Sequence, residues 1–354
     1  MRMIIILFTA LTFIFCEKEK NTVGHNFSDI DIEVIFEDSI RVRAISIYKD
    51  TLLGFGFNKG YGFINLTTNE CCLNQLNAND VAEESTNWVS EQRAICFNDH
   101  SFFSLGIGSP ARLRKIDLKD RKEKIVYTET HEKAFYDAIA FWNDLEGIAM
   151  GDPTDGCLSV IITRDAGKTW NKIPCTNLPK TFDGEAAFAA SNGNISIVGD
   201  KTWIVSGGMK SRVFYSPDKG KTWEVFKTPI VQGSATSGAY SIHFYDENNG
   251  VIYGGDYTKP EVNSANKAIT IDGGRTWKLM SSENGPGYKS CVRYIPNGGG
   301  KELVAVGFTG ISISNNSGEH WKEISKQGFY TLRFINDSIA IAAGKNRIAK
   351  VIFK

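Results

Sequence analysis

Four carboxylates lie in short glycine-bearing stretches: Asp152 and Asp155 in "GDPTDG", Glu185 in "DGEAAF" and Asp256 in "GGDYTK". Two carboxyl groups facing one cleft suffice for glycoside hydrolysis, one as acid and the other as base or nucleophile. Glu185 opens an apolar run. Partial burial there would raise its pKa and suit the acid. Glu185, Asp152 and Asp256 are therefore the catalytic candidates. A plainer reading fits the same residues, because Asp beside Gly is ordinary turn composition, with the carboxylate capping backbone N–H groups. Asp155, Arg212 in "KSRVFYS" and Arg293 in "SCVRYIP" are the binding candidates. Either arginine can hold an anionic group or pair with a carboxylate across a cleft.

Other chemistries find little support. A dinucleotide site needs strand, GxGxxG and helix. "GFGFNKGYG" spaces its glycines differently and no helical pattern follows. His25, His100, His131, His243 and His320 are scattered, and no CxxC or CxxCH occurs. Neither a metal nor a redox cofactor is expected. Lys plus Arg and Asp plus Glu are 40 each, with no long basic run, so nucleic acid is not the expected partner.

The elements that must position these residues are repeats. "TRDAGKTW", Thr163 to Trp170, returns as "SPDKGKTW" (Ser216 to Trp223) and "TIDGGRTW" (Thr270 to Trp277), and in worn form as "SNNSGEHW" (Ser314 to Trp321). The Asp accepts bonds from its own turn, the Gly takes a conformation closed to other residues, and the Trp fills a gap against the next layer. β-rich runs precede each turn ("LSVIIT", "SRVFYS", "NKAITI", "TGISIS") and short strands follow. Another strand pair lies upstream of each. Four strands per unit, with turns spaced 53, 54 and 44 residues apart, predict the blades of a β-propeller. Nowhere do apolar residues hold a helical period for three turns.

Two eroded units, near 40–70 and 92–129, precede the first turn. The C-terminal "YTLRFINDSIAIAAGKNRIAKVIFK" supplies three strands, and "DIEVIFED", Asp31 to Asp38, can supply the fourth. The expectation is an all-β, seven-bladed propeller of four-stranded antiparallel blades, closed by its N- and C-terminal strands. Cys157 and Cys175 lie symmetrically about Ala166. A cross-strand disulfide and two buried thiols both fit that placement.

The four turns resemble Asp-boxes, or BNR repeats, with Asp165, Gly167 and Trp170, Asp218, Gly220 and Trp223, Asp272, Gly274 and Trp277, and the degenerate Asn316, Gly318 and Trp321 as the structural set. Such repeats mark sialidase-like propellers, other glycoside hydrolases and the photosystem II assembly/stability factor family. "FWNDLEGIAMGDP" and "GEAAFAASNGN" further resemble secreted Bacteroidota propellers filed under oxidoreductase or glycosyl hydrolase labels. The resemblance spans roughly 30–354 and is specific for fold rather than function, because the boxes lie on the outer rim. A sialidase would imply three arginines on a substrate carboxylate. Arg43, Arg212 and Arg293 are the ones available, and "RVRAI", Arg41 to Ile45, lacks the proline of the usual opening motif.

The N-terminal "MRMIIILFTALTFIFC" has Arg2 before an apolar run and Cys16 at its end, with "EKEK" following. It resembles a bacterial lipoprotein signal with Cys16 as the lipidated residue, although Phe15 stands where Gly, Ala or Ser is preferred; a plain secretion signal is the alternative. The expected organisation is a signal (1–16), a tether (17–29) and one propeller domain (30–354). The expected role is a monomeric, envelope-located, lipid-anchored scaffold that binds an envelope protein, with a glycan-hydrolysing enzyme as the alternative and a redox enzyme a distant third.

Overall fold

The computed structural model describes residues 24–76, 91–280 and 282–354. The signal segment with Cys16, and the first part of the expected tether, lie outside the described residues. Within them the regular structure is antiparallel strand, apart from a single 3-10 turn at Cys175–Asn177.

Five stretches each supply a set of four antiparallel strands: 92–129, 136–172, 195–227, 237–279 and 291–325, the short strand Gly207–Gly208 within the third joining the next sheet instead. The strand Ile30–Tyr48 serves two further sets. Its first half pairs with Lys345–Phe353, from Ile30 opposite Phe353 to Glu37 opposite Arg347. Its second half, from Val42 on, pairs with Leu52–Phe57. An irregular register between Glu37 and Arg41 separates the halves. The two ends of the described chain are thereby hydrogen-bonded into one sheet.

The inner and middle strands are buried on both faces, as in Leu158–Thr163 and Gly310–Ser314. Such strands read as apolar runs rich in Ile and Val instead of alternating, because neighbouring sheets cover both sides. The core is accordingly layered between successive sheets. Ile148, Met150, Val160 and Ile162 of one sheet pack on Ile204 and Phe214 of the next. Outer strands such as Glu224–Lys227 are half-exposed.

The four polar turns share one bonding scheme. In the second, the Ser216 hydroxyl donates to Asp218 (2.9 Å) and accepts from Gly220 N–H (2.7 Å). The Asp218 carboxylate also accepts from Thr222 N–H (2.8 Å) and the Thr222 hydroxyl (2.6 Å). Thr163–Asp165–Thr169 and Thr270–Asp272–Thr276 repeat it. In the fourth, Asn316 still accepts from His320 N–H (2.9 Å), but His320 brings no hydroxyl. Gly220 has φ +80°, and a Cβ there would lie 2.5 Å from Ile162 of the preceding sheet. The turn is pressed against its neighbour, so glycine is required for both conformation and space.

Residues 24–29, expected to be tether, are packed on the body. His25 bonds Glu302 at 2.6 Å, Asn26 N–H donates to Glu302 at 3.0 Å, and Phe27 is buried beside Ile295 and Phe353.

Candidate functional site

First strands of successive sets pack against one another and lie between two cavities. The upper cavity, of about 550 Å³, is lined by residues at or just before the starts of those strands, including Arg43, Arg93, Tyr240, Tyr288 and Tyr330. The lower, of about 440 Å³, is lined by residues towards their ends, including Ser46, His243, Arg293 and Arg333.

The segment from Ile173 to Asn194 separates them. It leaves the rim, and its start is fastened by the Cys157–Cys175 disulfide (Cα–Cα 5.5 Å). Closing that 18-residue separation is worth about 3 kcal/mol on the chain-entropy model. Ala187 N–H then donates to Asp152 (2.6 Å). Further on, the Ser191 carbonyl accepts from the Thr331 hydroxyl (2.9 Å) and Arg333 (3.2 Å), and the Asn192 carbonyl accepts from Arg333 (2.9 Å). The Asn192 side chain donates to the Ile95 carbonyl and accepts from Ile139 N–H. Inner strands of three other sheets thus hold the segment across the channel. Ala186 to Ala190 face the upper cavity and Asn192 the lower.

Aromatic rings dominate the upper cavity. Phe188 of the crossing segment stacks on Tyr240 (3.9 Å, 3° between planes), and Tyr288 meets Tyr240 edge-on at 4.9 Å. Arg43 lies over the Tyr330 ring at 4.2 Å. Arg93 pairs with Glu91 and donates to the Ala189 carbonyl. Burial pushes the Asp152 carboxyl up to about 6, against the Ala187 amide that favours its charged form. Behind it, Asp137 is fully buried with neither oxygen hydrogen-bonded. Burial, and Asp152 nearby, hold Asp137 well above the usual carboxylate range.

The six sequence candidates do not converge. Glu185 is buried, and Arg212 grips it with two bonds, Nε to Oε1 (2.9 Å) and Nη2 to Oε2 (2.6 Å). The Ser206 hydroxyl (2.6 Å) and Phe182 N–H (2.9 Å) occupy its remaining lone pairs. A carboxylate so saturated has no vacancy for a substrate proton, so the acid role read from its apolar flank is not served by this geometry. Arg212 does meet a carboxylate, but beside the crossing segment and not across the channel; it also donates to the Lys180 carbonyl and stacks near Phe182. Asp256 caps its own turn through Thr258 N–H and hydroxyl. Asp155 is exposed, 3.7 Å from His131. Only Asp152 lines the upper cavity and only Arg293 the lower. Arg43, Arg212 and Arg293 fall in three separate places, so they form no triad.

Arg93, Arg333, Asp137 and the aromatic set were not singled out by sequence. The one signal that pointed their way was "GEAAFAASNGN", whose small residues allow close passage through the channel. Among the described residues no group of three or more His, Cys, Asp or Glu is placed to hold a metal.

Comparison with known proteins bears on the fold. A family model described as "Sortilin, neurotensin receptor 3" (Sortilin-Vps10) matches residues 158–290, which hold the first three turns. No curated protein matches the sequence. Among solved structures, "YCF48 bound to D1 peptide" is similar with TM-score 0.63 and 12% identity, covering 94% of this chain and 99% of that one. "Structure of U3-55K" is similar with TM-score 0.63 and 12% identity over 91% and 98% of the two chains. "Crystal structure of RRP9 WD40 repeats" gives 0.63 and 11% over 92% and 98%. At such identity the likeness speaks to architecture alone, and the architecture is that of an all-β propeller.

Proposed function

We propose that this chain is a binding scaffold: a seven-bladed propeller, closed by its terminal strands and carrying Asp-box turns, that receives a protein segment at its upper face. The observation that carries the reading is the aromatic upper cavity and the apolar collar around it. In antiparallel sheets, the loops between second and third strands lie at the same end as the starts of the first strands. So do the links from each fourth strand to the next sheet. Phe182, Met209, Tyr257, Val262 and Phe308 all lie in such loops, and all five are exposed. Clustered exposed apolar groups around a pocket with half-buried arginines suit a peptide, whose side chains fill the pocket while its carbonyls meet the guanidiniums. That a similar fold has been solved with a bound peptide agrees with this reading.

Secretion through the N-terminal signal, lipid attachment at Cys16 and a monomeric state complete the proposal, with an envelope protein as the partner. The glycan-hydrolase alternative rests on Asp152, a carboxyl raised to about 6 against aromatic walls. Among the described residues it lacks a second free carboxylate at the cavity: Glu185 is locked and Asp256 is turned to its own loop.

Photo-crosslinking from position 257 in native envelopes, read by mass spectrometry, tests the scaffold. One enriched protein, lost from a Phe308→Ala variant that folds normally, is the expected result. No enrichment over an unrelated lipoprotein, together with hydrolysis of a glycan that Asp152→Asn abolishes, would overturn it.

A further inference from the structure

From the lower cavity we infer a second binding site, independent of the upper face, for a small organic carboxylate with an apolar body; its anchor is the unoccupied edge of Arg293. The two arginines here, Arg293 buried and Arg333 half-buried, differ in how much of their capacity is used. Arg333 is consumed: Nη1 donates to the Thr331 hydroxyl (3.0 Å) and Leu332 carbonyl (2.8 Å), and Nη2 to the carbonyls of Ser191 and Asn192. Arg293 spends only Nη1, on the Val292 carbonyl (3.0 Å) and, at 3.4 Å, the Ile242 carbonyl. Its Nε and Nη2, the side-on pair that matches two carboxylate oxygens, make no hydrogen bond to a described residue.

Neither guanidinium has a carboxylate partner among the described residues, and no Asp or Glu lines this cavity; the one acidic group at hand is the Cys291 thiol, 3.8 Å from Arg333 Nη1 and on the side of Arg333 rather than of the open edge of Arg293. One buried and one half-buried guanidinium therefore face an open space, with one free fork between them. A buried cation without a counter-ion is costly, and a bound anion relieves that cost. His243 adds a donor rather than a third charge. Its Nδ1 accepts from Tyr294 N–H (3.1 Å), which leaves the ring proton on Nε2. Burial, reinforced by Arg293 and Arg333, keeps this imidazole neutral.

The walls choose the body of the ligand. Ile45, Ile95, Ile139, Ile197 and Phe334 supply apolar surface from five different sets of strands. Such walls favour an alkyl or aryl carboxylate over a fully hydrated anion such as phosphate, whose remaining oxygens would find no donors. The crossing segment closes the upper side, so the ligand enters from below, and occupancy does not compete with the upper face.

Calorimetric titration of the purified full-length protein tests the site with hexanoate, hexanol, inorganic phosphate, N-acetyl-leucine and its amide. Hexanoate should bind at least about tenfold more tightly than hexanol or phosphate, a difference one bidentate charge-assisted contact provides. Arg293→Gln should remove that preference and Arg293→Lys restore part of it. Should Arg293→Gln fail to fold, Ser46→Phe, which fills the cavity from a half-buried wall position, should abolish binding instead. Stronger binding of N-acetyl-leucine than hexanoate identifies the carboxylate as a peptide C-terminus; the reverse identifies a free acid. No heat with any carboxylate at millimolar concentration, phosphate binding as tightly as hexanoate, or binding unchanged by both Arg293→Gln and Ser46→Phe overturns the inference.

Discussion

The three full polar turns and the segment from Ile173 to Asn194 both leave the strand pattern, in opposite ways. A turn such as Ser216–Trp223 has a hub satisfied from within: every bond of Asp218 reaches a residue no more than four positions away. The crossing segment meets its needs from afar. Glu185 pairs with Arg212, 27 residues on, and Ser191 with Thr331, 140 residues on. Local bonding makes a module that can be copied into successive blades. Distant bonding makes a single-use part whose meaning depends on everything around it. Damage should follow the same division: a turn fails alone, whereas the segment takes the channel with it.

The largest effect is expected at Glu185. Glu185→Ala leaves Arg212 buried beside an empty site, and breaking one side of a buried pair costs about 3–5 kcal/mol. Denaturant unfolding should show that loss, and Glu185→Leu combined with Arg212→Leu should recover much of it, because no orphan charge remains. A Glu185→Ala protein as stable as the parent would show that the pair does not hold the segment. An acid catalyst would behave differently, losing turnover while keeping its stability.

Asp218→Ala removes the hub of one turn, but in a partly exposed place where water can replace its bonds. A loss of about 1–2 kcal/mol is expected. Asp272→Ala should match it closely, since the two hubs make the same set of bonds. Unequal losses in the same unfolding assay would mean that packing against the preceding sheet, and not the local bonds, sets the stability of these turns.

The same division decides what could be read beforehand. The turns announce themselves because polar identity and spacing are fixed within eight residues, and from them the all-β propeller follows. The pairing of Asp31–Asp38 with the C-terminal strand was legible because a three-stranded end needs a fourth strand, and the chain offers one. The site was far less legible. Glu185 beside an apolar run reads as an acid catalyst until Arg212 is seen to occupy it, and no spacing rule links residues 27 apart. Arg333 and Asp137 sit in ordinary strand sequence; only the meeting of several inner strands at one axis gives them neighbours. His25 and Phe27 looked like polar tether because their partners, Glu302 and Phe353, lie at the far end of the chain.

The smallest effect lies where the segment meets Asp152. Burial raises this carboxyl to about 6, so the fold prefers its protonated form. A raised carboxyl contributes stability in full below the unfolded value of about 4, and that contribution is lost as pH rises through about 6. Asp152→Asn keeps an acceptor for Ala187 N–H and removes the titration. Parent and variant should therefore have similar melting temperatures near pH 4.5, and the parent should fall below the variant by a few degrees at most between pH 5 and 7. Asp137 is held well above the usual carboxylate range by burial and by Asp152 nearby, with Arg93 opposing, and it is present in parent and variant alike. Asp165, Asp218 and Asp272 are ionised throughout, since turn hydrogen bonds outweigh burial and hold them below the usual range. Parallel melting curves would mean that water reaches Asp152 freely, and that the crossing segment does not seal the upper cavity floor. A partner seated in that cavity would remove more water from Asp152, so its apparent pKa should rise on binding, with proton uptake near pH 6.5 as the signature that the upper face is filled.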